Sequence, residues 1–187
     1  MEEEVQLYID DTREKMEKAI AHLESELLKI RAGKANPHIL EGIYVDYYGV
    51  NTPLNQVSNI STPDAKTIAI QPWEKAMIEP IEKAILQANI GITPINNGEL
   101  IRLNIPPLTE ERRKELVKQV KSMGENTKVS IRTTRREGND EIKNLQKEGL
   151  AEDIAKDAEE EIQQLTNTYS QKVDEIVDSK EKDIMTI

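Results

Sequence analysis

Residues 109–148 read TEERRKELVKQVKSMGENTKVSIRTTRREGNDEIKNLQKE, and their spacing sets the architecture of the whole chain. Apolar or small side chains recur at Leu116, Val120, Met123, Thr127, Ile131, Thr134, Ile142 and Leu145. Steps of three and four place them along one side of a helix. Thr109 supplies an N-cap, and Glu110 and Glu111 in the first turn suit the positive end of the helix dipole. Gly124 and Gly138 each weaken a helix interior by about 1 kcal/mol relative to Ala. The seam keeps its phase across both, so the spacing predicts one continuous helix.

Gly149 ends that helix. A second seam, Ile154, Ala158, Ile162, Leu165, Tyr169, Val173, Ile176 and Ile184, predicts another helix reaching the C-terminus. Upstream, Pro106-Pro107 closes a region of different character. Six of the eight prolines fall between residues 32 and 105, and the apolar pattern there shortens to alternation. Ile43–Tyr48, Thr67–Gln71 and Leu100–Ile105 read as strands, Gly49 with Asn51-Thr52-Pro53 and Asn96-Asn97-Gly98 as turns. Residues 74–88 read as a short helix with Pro80 inside it. Residues 5–31 carry a third long seam at Ile9, Thr12, Met16, Ala19, Leu23, Leu27 and Ile30, stopped by Gly33 and Asn36-Pro37.

The expected fold class is therefore α+β. Three long helices, within residues 1–31 and 106–187, form an elongated bundle, each helix roughly 40–55 Å long. A small β/α/β domain, residues 32–105, is inserted between the first and second. The two connections, about 31–33 and 104–107, contain Ala32, Gly33, Pro106 and Pro107 and are expected to act as a hinge.

Composition agrees. Charged residues make up 32% and aromatics 3%, with no Phe, which suits a narrow helical seam better than a broad core. The absence of Cys excludes disulfides, thiolate metal sites and Cys nucleophiles and points to a reducing cytosol. Met1-Glu2-Glu3-Glu4 has the wrong charge for a signal peptide. No apolar run approaches the ~20 residues needed to span a bilayer. A soluble, cytoplasmic protein is expected.

The formal net charge of −10 argues against a polyanionic partner. Its distribution argues otherwise. Residues 109–148 hold 11 basic and 8 acidic groups, whereas residues 149–187 hold 4 and 11. Within the basic segment lie Lys121, Lys128, Arg132, Arg135 and Arg136, with Glu125 among them. At about 100° per residue these cations cluster within roughly 100° of arc, turned away from the seam. Such a stripe can follow a phosphate backbone, and Arg can add bidentate contacts. It can equally be the solvated face of a charged helix, or be neutralised across the bundle by the acidic third helix. Composition leaves these readings open.

Four motifs resemble those of the ribosome recycling factor family, in the same order and from end to end. They are Lys29-Ile30-Arg31-Ala32-Gly33-Lys34-Ala35-Asn36-Pro37; Val45-Asp46-Tyr47-Tyr48-Gly49 with Thr52-Pro53-Leu54; Leu103-Asn104-Ile105-Pro106-Pro107-Leu108-Thr109-Glu110-Glu111-Arg112-Arg113-Lys114; and Val129-Ser130-Ile131-Arg132-Thr133-Thr134-Arg135-Arg136. The resemblance implies an L-shaped, tRNA-like molecule. It implies binding to the post-termination ribosome, with the bundle on large-subunit ribosomal RNA (rRNA). It implies action with elongation factor G, whose GTP hydrolysis supplies the energy. By the same resemblance Arg132 matches the key basic position, Arg135 and Arg136 the adjacent pair, and Arg31 and Lys34 the basic pair at the first junction. Lys34 stands where the family more often has Arg; Thr133 and Thr134 stand where many members carry Asn and an apolar residue.

No catalytic, cofactor or metal site is expected. His22 reads as a boundary residue beside the first seam and His38 as structural or exposed, without partners at ligand or triad spacing. Glu159-Glu160-Glu161 reads as a solvated face. Trp73, the lone Trp, reads as core of the small domain. A monomer is expected. Two other classes remain: a non-catalytic helical adaptor that binds proteins, and an enzyme built on the small domain.

Overall fold

The computed structural model describes residues 1–30 and 32–186. Contacts divide the chain into two compact units, Met1–Ile30 with Glu111–Ile187, and Arg31–Glu110. The first contains helices α1 (Glu2–Leu28), α3 (Glu110–Lys147) and α4 (Glu152–Met185). The second contains α2 (Ile78–Ala88) and strands β1 (Tyr44–Tyr47), β2 (Val50–Pro53), β3 (Ser58–Asp64), β4 (Thr67–Pro72), β5 (Ile95–Asn96) and β6 (Ile101–Asn104).

The α3 helix is continuous across both glycines, and the glycines themselves line its buried side. A Cβ on Gly124 would lie 2.6 Å from Val177 Cγ2, and one on Gly138 2.6 Å from Thr12 Oγ1. Each glycine therefore marks a point where a neighbouring helix comes so close that any side chain would have to displace it. The buried threonines Thr12, Thr127, Thr134 and Thr166 each donate to the carbonyl four residues earlier, at 2.8–3.0 Å. Their hydroxyls are thus satisfied within their own helices, and the methyl groups remain free to pack.

Several seam positions shift by one residue from the expectation. Ile20 rather than Ala19 is buried on α1, Gly124 rather than Met123 on α3, and Ala155, Thr166 and Val177 rather than Ile154, Leu165 and Ile176 on α4. The α1 helix also ends at Leu28, short of residue 31. At the α3–α4 turn Gly149 takes φ +114°. Leu150 N–H donates to Leu145 O at 2.9 Å and Gly149 N–H to Gln146 O at 3.1 Å. This is a Schellman closure, and the buried Leu145 and Leu150 supply its apolar contact.

In the second unit the antiparallel sheet runs β3-β4-β6-β5, beside a separate β1-β2 hairpin. Alternation points Ile68 and Ile70 of β4, and Ile101 and Leu103 of β6, into one core. Ile81 and Ile85 of α2 meet them there. The segment expected as helix from residue 74 is a 3₁₀ turn at Lys75–Met77, with the α-helix beginning at Ile78. Pro80 therefore sits in the first turn, where no intrahelical N–H is required. Asn51-Thr52-Pro53, read as a turn, pairs instead as β2 with β1. The turn is Tyr48-Gly49, both at positive φ, as a two-residue hairpin demands.

Trp73 is a clear correction: it is 66% exposed. Pro72 points inward in register with Ile68 and Ile70, so the next side chain must point out. The aliphatic core is already filled without it.

Candidate nucleic-acid interface

The cations of α3 project from a face that flanks its buried side. With Lys121 as zero, the buried residues from Leu116 to Leu145 fall at about 220–300° and the cations between about −40° and +60°. Lys121, Arg132 and Arg136 are exposed, and Lys128 and Arg135 half-buried. Exposed Lys114, Lys118 and Lys143 continue the same face at about +20°, +60° and +40°. Sequence reasoning missed these three, although their three-and-four spacing from Lys121 was a usable signal. From Lys114 to Lys143 the face extends roughly 44 Å along the helix.

Its cations differ in their partners. Among the described residues, Lys121, Arg132 and Arg136 join no ion pair or hydrogen bond. Arg135 donates to Gln163 Oε1 of α4 at 3.5 Å, a long contact to a neutral amide. Lys128 Nζ lies 2.5 Å from Asp174 Oδ1 of α4 and 3.9 Å from Glu125 Oε1. Glu137, on another side of α3, pairs with Lys15 of α1 at 3.6 Å and so leaves the arginines unneutralised.

The remaining expected residues lie elsewhere. Arg31 lies outside the described residues. Lys34 belongs to the inserted unit, is half-buried and has a partner. Gly33 takes φ +74°, and a Cβ there would meet Leu108 Cγ at 3.0 Å, so the two connecting segments pack on each other. Ala35 N–H donates to Ala65 O and Ile105 N–H to Lys66 O, both at 2.7 Å. Adjacent residues of the β3–β4 turn thus fasten both connections. Ala32, Pro106 and Pro107 lie on the bundle side of those bonds.

His22 is exposed on α1, and His38 is exposed with Nδ1 2.6 Å from Glu41 Oε1. Among the described residues no group of three His, Cys, Asp or Glu side chains could hold a metal. No helix among them is long and apolar enough to cross a membrane. The hairpin tip is held by Glu74, whose carboxylate accepts from Tyr47 Oη at 2.8 Å and Tyr48 Oη at 2.7 Å. Those two hydrogen bonds, Tyr48's first, hold the Glu74 carboxyl below its ordinary range.

An exposed arginine face on a helix whose adjoining side is taken up by packing can contact phosphates without disturbing the fold. The chain is similar over its whole length to proteins with this organisation. It is 57% identical to the ribosome-recycling factor of Flavobacterium johnsoniae, covering 100% of both chains. A solution structure of the ribosome recycling factor superposes with a TM-score of 0.81 at 36% identity, covering 98% of each chain. A second solved chain, at 42% identity and TM-score 0.65, covers 97% of this chain and 99% of its own. It comes from models of the T. thermophilus ribosome recycling factor and the E. coli elongation factor G bound to the E. coli post-termination complex. The family model described as ribosome recycling factor matches residues 23–185. With its helical N- and C-terminal regions, the small β-sheet domain between them and this agreement along the whole sequence, the chain belongs to the ribosome recycling factor family.

Proposed function

We propose that this protein binds the post-termination ribosome through the exposed basic face of α3, set against large-subunit rRNA. With elongation factor G and GTP it promotes dissociation into subunits and release of mRNA and tRNA. It works as a cytoplasmic monomer and holds no cofactor; the nucleotide belongs to elongation factor G. The observation that carries the RNA contact is the pair of exposed, unpartnered guanidinium groups of Arg132 and Arg136 on one side of a helix whose other side is buried. The role is mechanical. The arginines anchor the bundle, the inserted unit receives the push of the factor, and the connections at Ala32-Gly33 and Pro106-Pro107 bend. Hydrogen bonds from Ala35 and Ile105 to the β3–β4 turn support a bend placed before Ala35 and after Ile105.

Subunit splitting followed by light scattering tests the reading, with this protein, elongation factor G and GTP each omitted in turn. Splitting is expected only with all three present. Arg132→Ala should weaken binding to ribosomes and flatten its salt dependence, by roughly 0.7–0.9 in log–log slope for each phosphate left without its cation. Unchanged affinity and slope in that variant would end the anchoring role. The adaptor reading draws support from the exposed Trp73 and Tyr44 of the inserted unit, which suit a protein contact. It requires indifference to RNA and no splitting with a matched factor.

A further inference from the structure

Lys128 stands near the middle of the basic face, yet its surroundings differ from those of Arg132 and Arg136. Its ammonium lies between two carboxylates, Asp174 of α4 at 2.5 Å and Glu125 of α3 at 3.9 Å. The Lys128 side chain is 20% exposed and that of Asp174 is 59% exposed. A phosphate approaching Lys128 would therefore meet the Asp174 carboxylate first. Further along the same border, α4 offers Arg135 only the amide oxygen of Gln163. The amide nitrogen of Gln163 in turn donates to Asn167 Oδ1 at 2.9 Å. The α4 border thus places a full negative charge beside Lys128 and neutral groups beside Arg135.

We propose that Asp174 is a specificity residue of the RNA-binding face. By holding the Lys128 ammonium it withholds that charge from phosphates and gives the stripe a negative edge. A nucleic-acid backbone is then confined to the line of Arg132 and Arg136. A bare row of lysines and arginines attracts any polyanion, because counterion release carries no sequence or shape information. An edge of opposite sign penalises backbones that stray across it and favours one register. The proposal rests on the reading of α3 as the RNA-binding face. Asp174 itself is exposed and lies outside the core, so replacing it is expected to leave the fold intact.

The test uses the full chain and two probes, a random-sequence RNA duplex and isolated large ribosomal subunits, with affinity measured against salt concentration. Asp174→Asn should tighten duplex binding several-fold and steepen its log–log salt slope by roughly 0.7–0.9, one added phosphate contact. It should also narrow the preference for the large subunit over the duplex. Lys128→Gln should leave the parent slope unchanged, and Lys128→Gln combined with Asp174→Asn should abolish the steepening. Glu175→Gln makes the same change in net charge about 100° further around α4, and no steepening is expected from it. Circular dichroism confirms that each variant keeps its helices. Equal effects of Asp174→Asn and Glu175→Gln, or no effect of the former, would overturn the proposal while leaving the Arg132 anchor standing. An Arg132→Ala variant that binds large subunits like the parent would instead remove the anchor, and this proposal with it.

Discussion

Where α3 passes α1, the interior of the bundle is a glycine against a threonine, with 2.6 Å between the missing Cβ of Gly138 and Thr12 Oγ1. In the inserted unit the same depth is filled by Ile68, Ile70, Ile81, Ile85, Ile101 and Leu103, all fully buried. Both cores do without Phe, and the bundle adds small residues at its closest crossings. Helices packed through small residues come close along a narrow seam and leave most of their circumference to solvent, as a charged face requires. A sheet covered by one helix must fill a wide layer, and β-branched side chains do that on a pleated surface. The inserted unit is accordingly vulnerable to removal of volume; the bundle, which also buries Met16, Leu23, Ile131, Ile142 and Ile162, shares that weakness and adds a second, to added volume at Gly124 and Gly138.

The largest expected effect tests the first half of that statement. Ile81→Ala should cost about 2–5 kcal/mol, the usual range for emptying a filled core site. Hydrogen exchange should locate the weakened protection among residues 31–110. Weakening spread equally over the bundle helices would mean that the two units do not carry separate cores. Next comes Gly138→Ala. One methyl group adds overpacking of about 1–3 kcal/mol against a helix-propensity gain of about 1 kcal/mol. Denaturant titration should show a net destabilisation of up to about 2 kcal/mol. Combining it with Thr12→Ala should recover part of that, because the clash and the substituted oxygen share one space. A stabilising Gly138→Ala would contradict the close approach of α1 to α3.

The smallest effect concerns the hairpin of the inserted unit. Glu74 is held below its ordinary 4.5 by the Tyr48 and Tyr47 hydroxyls. Its contribution is therefore present above pH 4.5, the unfolded value, and fades as pH falls through the lower folded value. Glu74→Gln should flatten the acid limb of stability slightly and leave the bundle unaffected. Tyrosine resonances of the hairpin, followed by NMR through the same pH window, would report it. A parent-like acid limb in the variant would show that the clamp contributes nothing to folding.

Much of the fold and of the basic face is legible in the amino-acid sequence. Three long helices follow from seams spaced by three and four, because a helix repeats its contacts locally and the repeat is written into neighbouring residues. The Gly149 turn, the strands at Thr67–Gln71 and Leu100–Ile105 and the arc of cations around Arg132 are readable for the same reason. Strand β3 escapes that reading: Ser58–Asp64 is largely exposed, so it lacks the apolar alternation that marks a half-buried strand.

That α3 has a packing side and a charged side is settled by the sequence alone, since both are set by angles along one helix. Which small residues are necessary, which way Trp73 turns and which cation is already neutralised are settled only when the elements pack. Gly124 and Gly138 read as weak points along α3, yet α4 and α1 press so close that anything larger must push them aside. Lys128 reads like its neighbours, yet Asp174, 46 positions later in the chain, lies beside it. The physical reason is common to all three: each depends on the distance between elements that the chain brings together only on folding, and periodicity along one element carries no record of that distance.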